Sequence, residues 1–182
     1  DVGCGNGNTL VGLITDFSNS KVKADGIEIN TRNALISKIR LSLCGNVFGN
    51  IIVDDYLTAK IDGKYSFITI NMPFGLHVTP MKRNELNSFN KTYGFEWNIT
   101  PASSSEWIYV NKALGLLSDN GRIALLTTPT PLFKTGDLKL RKDLVENNLI
   151  EYVIEMPVGT YPGTGINYSL IILNNNKKDD KV

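Results

Sequence analysis

The chain has 182 residues, 42% of them hydrophobic, which is enough for one domain with a substantial core. No run of about 18 apolar residues occurs and the N-terminal end lacks the basic-then-apolar layout of a signal peptide, so a soluble, cytoplasmic protein with no membrane partner is expected. A formal charge of +1 is far from the basic excess of a domain that holds nucleic acid by phosphate contacts alone; two cysteines forty residues apart, Cys4 and Cys44, make neither a disulfide framework nor a metal spacing.

The opening Asp1-Val2-Gly3-Cys4-Gly5-Asn6-Gly7 places glycines at alternate positions before a helical run, Thr9 to Phe17. A strand is read from Val22 to Ile29, then a helix whose Leu35, Ile36, Ile39 and Leu43 form one apolar stripe. Short continuous runs rich in β-branched residues give strands at Ile51 to Val53, Tyr65 to Ile70, Arg122 to Thr127, Ile150 to Met156 and Tyr168 to Leu173. The stretch from Gly75 to Ser105 has no periodicity and reads as a long functional loop. A helix follows, with Trp107, Val110, Leu114 and Leu117 inward, ended by Ser118-Asp119-Asn120-Gly121 with the glycine left-handed. A third helix opens at Asp137 as N-cap and turns Leu140 and Leu144 inward. The polar residues 173–182 read as a frayed tail.

Strands alternating with helices of this length predict an α/β, largely parallel sheet. The chain begins inside a motif that normally follows a strand, so the first strand is expected to be missing and residues 1–182 to form an incomplete domain of a protein that extends further toward its N-terminus.

The glycines let backbone approach a ligand closely and the helix start offers free amide donors; the same pattern also suits a plain tight turn. Gly26-Ile27-Glu28-Ile29-Asn30 ends a strand in a carboxylate 25 positions after Gly3, where an acid can accept both ribose hydroxyls of an adenosine-containing cofactor, or simply cap the next helix. Asp54 and Asp55 follow the third strand, where a polar side chain can reach a cofactor's adenine and where two acids are also common in a turn. Asn71-Met72-Pro73-Phe74 stops an apolar strand, and beside the reading as a proline-terminated strand it carries specific chemistry. The amino nitrogen of adenine is a poor nucleophile because its lone pair is delocalised into the ring. The Asn71 side-chain oxygen and the Met72 carbonyl can accept its two hydrogens while Phe74 stacks on a base that has left the duplex. Such direct transfer needs neither metal nor cysteine nucleophile, and His77, the only histidine, reads as a loop residue rather than a general base.

These residues together resemble the adenine-specific DNA methyltransferases, most closely the modification subunits of type I restriction-modification systems. Asp1 to Gly7 is similar to that family's Asp-Pro-x-Cys-Gly-Ser-Gly box, Gly26 to Asn30 to its Gly-x-Glu-Ile-Asn segment, and Asn71 to Phe74 to its Asn-Pro-Pro-Phe box. The likeness continues through Asn120-Gly121-Arg122, Leu132 to Gly136, Leu140 to Leu144, and Met156 to Thr160 with Thr164 to Asn167. Val2 and Met72 stand where the family usually has proline. The resemblance implies a Rossmann-like class I methyltransferase sheet, mostly parallel with an antiparallel edge strand. It implies S-adenosylmethionine as cofactor, held by Asp1, Gly3, Cys4, Gly5, Glu28, Ile29 and Asp55, and catalysis by Asn71, Met72, Pro73 and Phe74. Double-stranded DNA with a flipped adenine is the implied substrate, with specificity and restriction subunits as partners. Other readings stay open: methylation of RNA or of a protein glutamine, a non-catalytic cofactor-binding subunit that Met72 would suit, and, more remotely, a nicotinamide-dependent oxidoreductase, which the glycine spacing disfavours.

Overall fold

The computed structural model describes residues 1–16, 22–44, 49–76, 79, 100–160 and 165–182. They form two compact units, Asp1–Lys60 and Ile61–Val182.

In the first unit, helix α1 (Asn8–Asp16), strand β1 (Gly26–Glu28), helix α2 (Thr31–Leu43) and strand β2 (Ile51–Val53) follow in order. β1 and β2 pair in parallel, Ile27 opposite Ile52. β1 is shorter than the run Val22 to Ile29 because Lys23 and Asp25, joined by an ion pair at 2.9 Å, sit ahead of its apolar part. Residues ahead of the glycine loop run beside β1 like a strand: Val2 bridges Ile27 in parallel and the Ile27 amide donates to the Asp1 carbonyl at 3.0 Å. A small core gathers Cys4, Leu10, Ile14, Ala24, Ala34, Leu41 and Ile51.

Helix α2 starts where Asn30, the N-cap, accepts the Arg32 and Asn33 amides. It does not bury the stripe read from its sequence. Leu35, Ile39 and Leu43 are 58%, 55% and 81% exposed, while Ala34, Ser37 and Leu41 face inward. The reason is close approach to the glycine loop: a Cβ added at Gly7 would lie 2.6 Å from Ser37 Oγ, so only small side chains fit between them.

The second unit carries β3 (Tyr65–Ile70), α3 (Ser105–Leu116), β4 (Leu117–Thr127), the short helix α4 (Thr130–Phe133), a 3-10 turn (Thr135–Asp137), α5 (Leu138–Glu146), β5 (Ile150–Met156) and β6 (Tyr168–Asn174). Its sheet has the order β3-β4-β6-β5, with β3 and β4 parallel and β6 antiparallel to both of its neighbours. The antiparallel strand therefore lies one place in from the edge, and β5 is the edge strand. Helix α3 is buried almost all round, Trp107 and Val110 included.

Two turns differ from expectation for physical reasons. β4 begins at Leu117, with an irregular register before Arg122, and Gly121 is not among the left-handed glycines. Glycine is needed there for space, because an added Cβ would sit 2.7 Å from Leu117 Cδ2 and 3.0 Å from the Tyr65 carbonyl. Asp137 precedes α5 but makes no side-chain cap; its carboxylate instead accepts the Ser104 amide at 2.9 Å and the Ser104 hydroxyl. Leu140 and Leu144 are buried as read.

Several of the residues read as a tail make defined contacts. Leu173 and Asn174 belong to β6, Asn175 Nδ2 donates to the Ser118 carbonyl at 2.6 Å, and Asn148 Nδ2 donates to the Asp179 carbonyl at 2.7 Å. Asn175 thus satisfies a carbonyl at the start of β4, and Asn147 Nδ2 satisfies the Asp143 carbonyl near the end of α5 at 2.8 Å. No helix among the described residues is long and apolar enough to cross a membrane.

Candidate functional site

The cofactor-side residues predicted from sequence lie in the first unit, mostly around the end of β1. Ile27 accepts the Gly3 and Cys4 amides at 3.0 and 3.1 Å, which turns the glycine loop tightly over the strand. Gly3, Gly5 and Gly7 all have positive φ, at 67°, 53° and 78°, so the loop follows a path that side chains rarely allow. At Gly5 an added Cβ would meet no atom within 4 Å, so this face of the loop is open backbone.

Glu28 is buried and uses both oxygens on backbone: Oε2 accepts the Gly5 amide at 2.9 Å and Oε1 the Asn30 amide at 2.7 Å. It therefore locks the loop to the start of α2, and a carboxylate with about four acceptor sites retains further capacity. Ile29 points to solvent, 67% exposed. Asp55 turns its carboxylate onto the Leu57 amide at 2.9 Å, heading the turn that its carbonyl continues to Ala59. The neighbouring Asp54 amide donates to the Glu28 carbonyl at 3.2 Å, so the acids begin beside Glu28. Cys4 is buried with its thiol 3.8 Å from Ser37 Oγ, and burial pushes its pKa up. Arg40 reaches from α2 to the Asn6 carbonyl at 3.0 Å and also contacts Asn8 Oδ1, holding the exit of the loop.

The predicted catalytic residues follow β3 in the second unit. Asn71 is half-buried, and no hydrogen bond ties its side chain to a described residue. The Met72 side chain is packed inside and Pro73 is exposed. The Phe74 ring lies against Tyr168 at the start of β6, with centroids 5.0 Å apart and planes tilted by 54°. Phe74 and Gly75 open onto a cavity of about 390 Å³, walled also by Ser105, Glu106, Thr128 and Lys134. That volume is within the ordinary range of small-molecule clefts, about 300–1,000 Å³. The roof of the cavity is fixed by carbonyl contacts: Arg141 Nη1 donates to Pro131 at 3.1 Å and Lys134 at 2.7 Å, and Trp107 Nε1 donates to Pro131 at 3.1 Å.

A larger cleft of about 570 Å³ lies by Arg122, Glu151 and Asn174. Its central pair is already engaged: Arg122 donates to both Glu151 oxygens at 2.7 and 3.0 Å and Asn174 Nδ2 adds a third bond at 3.1 Å, holding the Glu151 carboxyl below the usual range. The smaller cavity at Phe74 is the better candidate site.

Comparison with known proteins decides the family. The model of the N-6 DNA methylases matches residues 1–182. The chain belongs to that family. A type I restriction enzyme methylase subunit, MpnII, from Mycoplasma pneumoniae is 26% identical over 98% of this N-6 DNA methylase chain and 36% of its own length. The chain thus spans about a third of that relative. Among solved structures, the type I restriction-modification methyltransferase subunit from Streptococcus thermophilus superposes with a TM-score of 0.82 at 21% identity, over 99% of this chain and 40% of the other. A Listeria monocytogenes protein assigned to the class I S-adenosylmethionine-dependent methyltransferases gives 0.77 at 16% identity, over 98% and 53%. The fold is accordingly the Rossmann-like one of the class I methyltransferases.

Sequence reasoning missed Tyr168, Glu106, Thr128 and Lys134, which surround Phe74 from distant parts of the second unit. Glu106 carried the nearest thing to a signal, an acid in the first turn of a helix otherwise buried all round. His77 and most of the long loop, residues 77–78 and 80–99, lie outside the described residues, as do 161–164 within the Gly159 to Asn167 segment.

Proposed function

We propose that this N-6 DNA methylase domain transfers a methyl group from S-adenosylmethionine to the exocyclic amino nitrogen of adenine in DNA, acting in the cytoplasm as the catalytic portion of a type I modification subunit. One observation carries the reading: the Asn71–Phe74 segment ends β3 with an unengaged amide at Asn71 and an aromatic ring at the mouth of a cleft.

The first unit has the donor set that the cofactor needs. Open backbone at Gly5 suits close approach of its amino-acid portion, and the spare acceptor capacity of Glu28 suits two ribose hydroxyls. Asp1, Gly3, Cys4, Ile29 and Asp55 complete this proposed set. When bound, the cofactor supplies a methyl carbon made electrophilic by its sulfonium sulfur. The chain's own residues act on the target. Asn71 Oδ1 and the Met72 carbonyl accept the two amino hydrogens and concentrate electron density on nitrogen, Phe74 stacks on the flipped base, and Pro73 stiffens the turn between them. Met72 keeps the carbonyl that a proline would offer, and its side chain packs as core. A net charge of +1 on these 182 residues leaves much of the grip on double-stranded DNA to regions outside them, and specificity and restriction subunits are the partners we propose.

The test is a substrate panel. The natural full-length protein, with any specificity subunit encoded beside it, is given methyl-labelled S-adenosylmethionine and, separately, double-stranded DNA, structured RNA and a glutamine-bearing protein. Label confined to DNA supports the proposal; label in RNA or protein redirects it; cofactor binding with no transfer to any of the three assigns a non-catalytic role.

A further inference from the structure

Glu106 is a carboxylate only 3% exposed, on the first turn of α3, and it lines the cavity beside Phe74. A buried carboxylate is costly unless its oxygens are engaged, and among the described residues Glu106 has no cation for a partner. What engages it is the turn after Phe74: Oε1 accepts the Gly75 amide at 3.4 Å, and Oε2 accepts the Ser105 hydroxyl at 3.1 Å. Gly75 is left-handed, with φ 65°, so the chain reverses at this residue and the anchored amide fixes the plane of the Phe74–Gly75 peptide. Tyr168 holds the ring of Phe74 from the sheet side. The box is therefore gripped at both ends of the same residue, by an aromatic contact on its ring and by a carboxylate on the amide that follows it.

We infer that Glu106 is a positioning residue for the proposed methyl transfer: it sets the Phe74–Gly75 turn through a hydrogen-bond acceptor, and its negative charge is not what the reaction uses. The inference rests on the proposed activity. At 3.4 Å the bond to Gly75 is longer than the usual range of about 2.7–3.2 Å, which leaves the turn room to tighten as a base enters. Glutamine can reproduce the arrangement, because its oxygen can face Gly75 while its amide group donates to Ser105, whose hydroxyl turns to accept. Alanine cannot.

The experiment uses the natural full-length protein with its partners and compares native, Glu106→Gln, Glu106→Ala and Gly75→Ala. It reads kcat, KM for S-adenosylmethionine, and hydrogen exchange at the Gly75 amide. Glu106→Ala should lower kcat about ten- to a hundred-fold, the scale of a misplaced reacting group, with cofactor KM unchanged and faster exchange at Gly75. Glu106→Gln should recover at least about a third of native kcat and native exchange, since a neutral acceptor serves as well. An alanine Cβ at Gly75 would meet no atom within 4 Å, so Gly75→Ala disturbs only the left-handed turn and should lower kcat in the same way without touching Glu106. If Glu106→Ala does not fold, judged by loss of cofactor binding, the Glu106→Gln and Gly75→Ala pair decides. Glu106→Gln as inactive as Asn71→Ala overturns the inference in favour of a role for the charge, and full activity in Glu106→Ala or Gly75→Ala overturns it outright. Native protein that methylates nothing fails the proposed function itself and takes this inference with it.

Discussion

Asp137 is fully buried and joins two parts of the second unit that are far apart in sequence, so its removal has a calculable cost. Its two oxygens accept the amide and the hydroxyl of Ser104, the residue from which α3 starts. Asp137→Ala strands both donors inside the protein. A hydrogen bond to a charged group contributes about 1.5–3 kcal/mol, which puts the loss of two at about 3–6 kcal/mol. Ser104→Ala removes only the hydroxyl and leaves the amide bond, so about 1.5–3 kcal/mol is expected. Asp137→Asn falls between, because one oxygen still takes the amide while its NH2 group meets a hydroxyl able to turn and accept. Guanidinium unfolding of each variant, followed by far-UV circular dichroism and tryptophan fluorescence, gives these differences from midpoint shifts at unchanged slope. The double replacement should cost less than the sum of the singles, as required of groups that share an interaction. An Asp137→Ala variant within about 0.5 kcal/mol of native, the scale of a surface change, would refute the assignment of this pair as the link between α3 and the turn before α5.

Three further outcomes are expected. Gly7→Ala forces a left-handed residue against Ser37 and should destabilise the protein by about 2 kcal/mol, seen as a lower thermal midpoint and weakened binding of S-adenosylmethionine. Glu28→Gln turns an NH2 group toward one of two backbone amides, and calorimetry should show cofactor affinity reduced at least about tenfold, or about 1.4 kcal/mol. Burial keeps the Cys4 thiol protonated where the unfolded chain has ionised, so above the ordinary thiol value the unfolded state holds fewer protons and stability falls as pH rises; the slope of stability between about pH 8 and 10 should be flatter in Cys4→Ala.

Much of the second unit was legible because its strands are continuous apolar runs: β3 and β5 have the limits read from sequence, and the Asn71–Phe74 segment follows β3 directly. Helix α2 was misread because periodicity reports where large apolar residues are, not which face has room. At Gly7 the glycine loop leaves room only for the small side chain of Ser37, so the bulkier stripe turns outward. Gly121 and Asp137 were picked out as special positions with the wrong reasons attached, a backbone angle in place of close packing and a local cap in place of a long-range acceptor. Glu106 and Tyr168 meet the Phe74 turn only through the fold, which the acid at the start of α3 hints at and the sequence around Tyr168 does not.

The central claim is that Asn71 polarises an adenine amino group for methylation. The measurement that tests it most directly is mass spectrometry of nucleosides from DNA incubated with S-adenosylmethionine and the natural full-length protein, native beside Asn71→Ala. The account predicts N6-methyladenine from the native protein and its loss in the variant, with cofactor affinity unchanged; N6-methyladenine formed equally by both would contradict it.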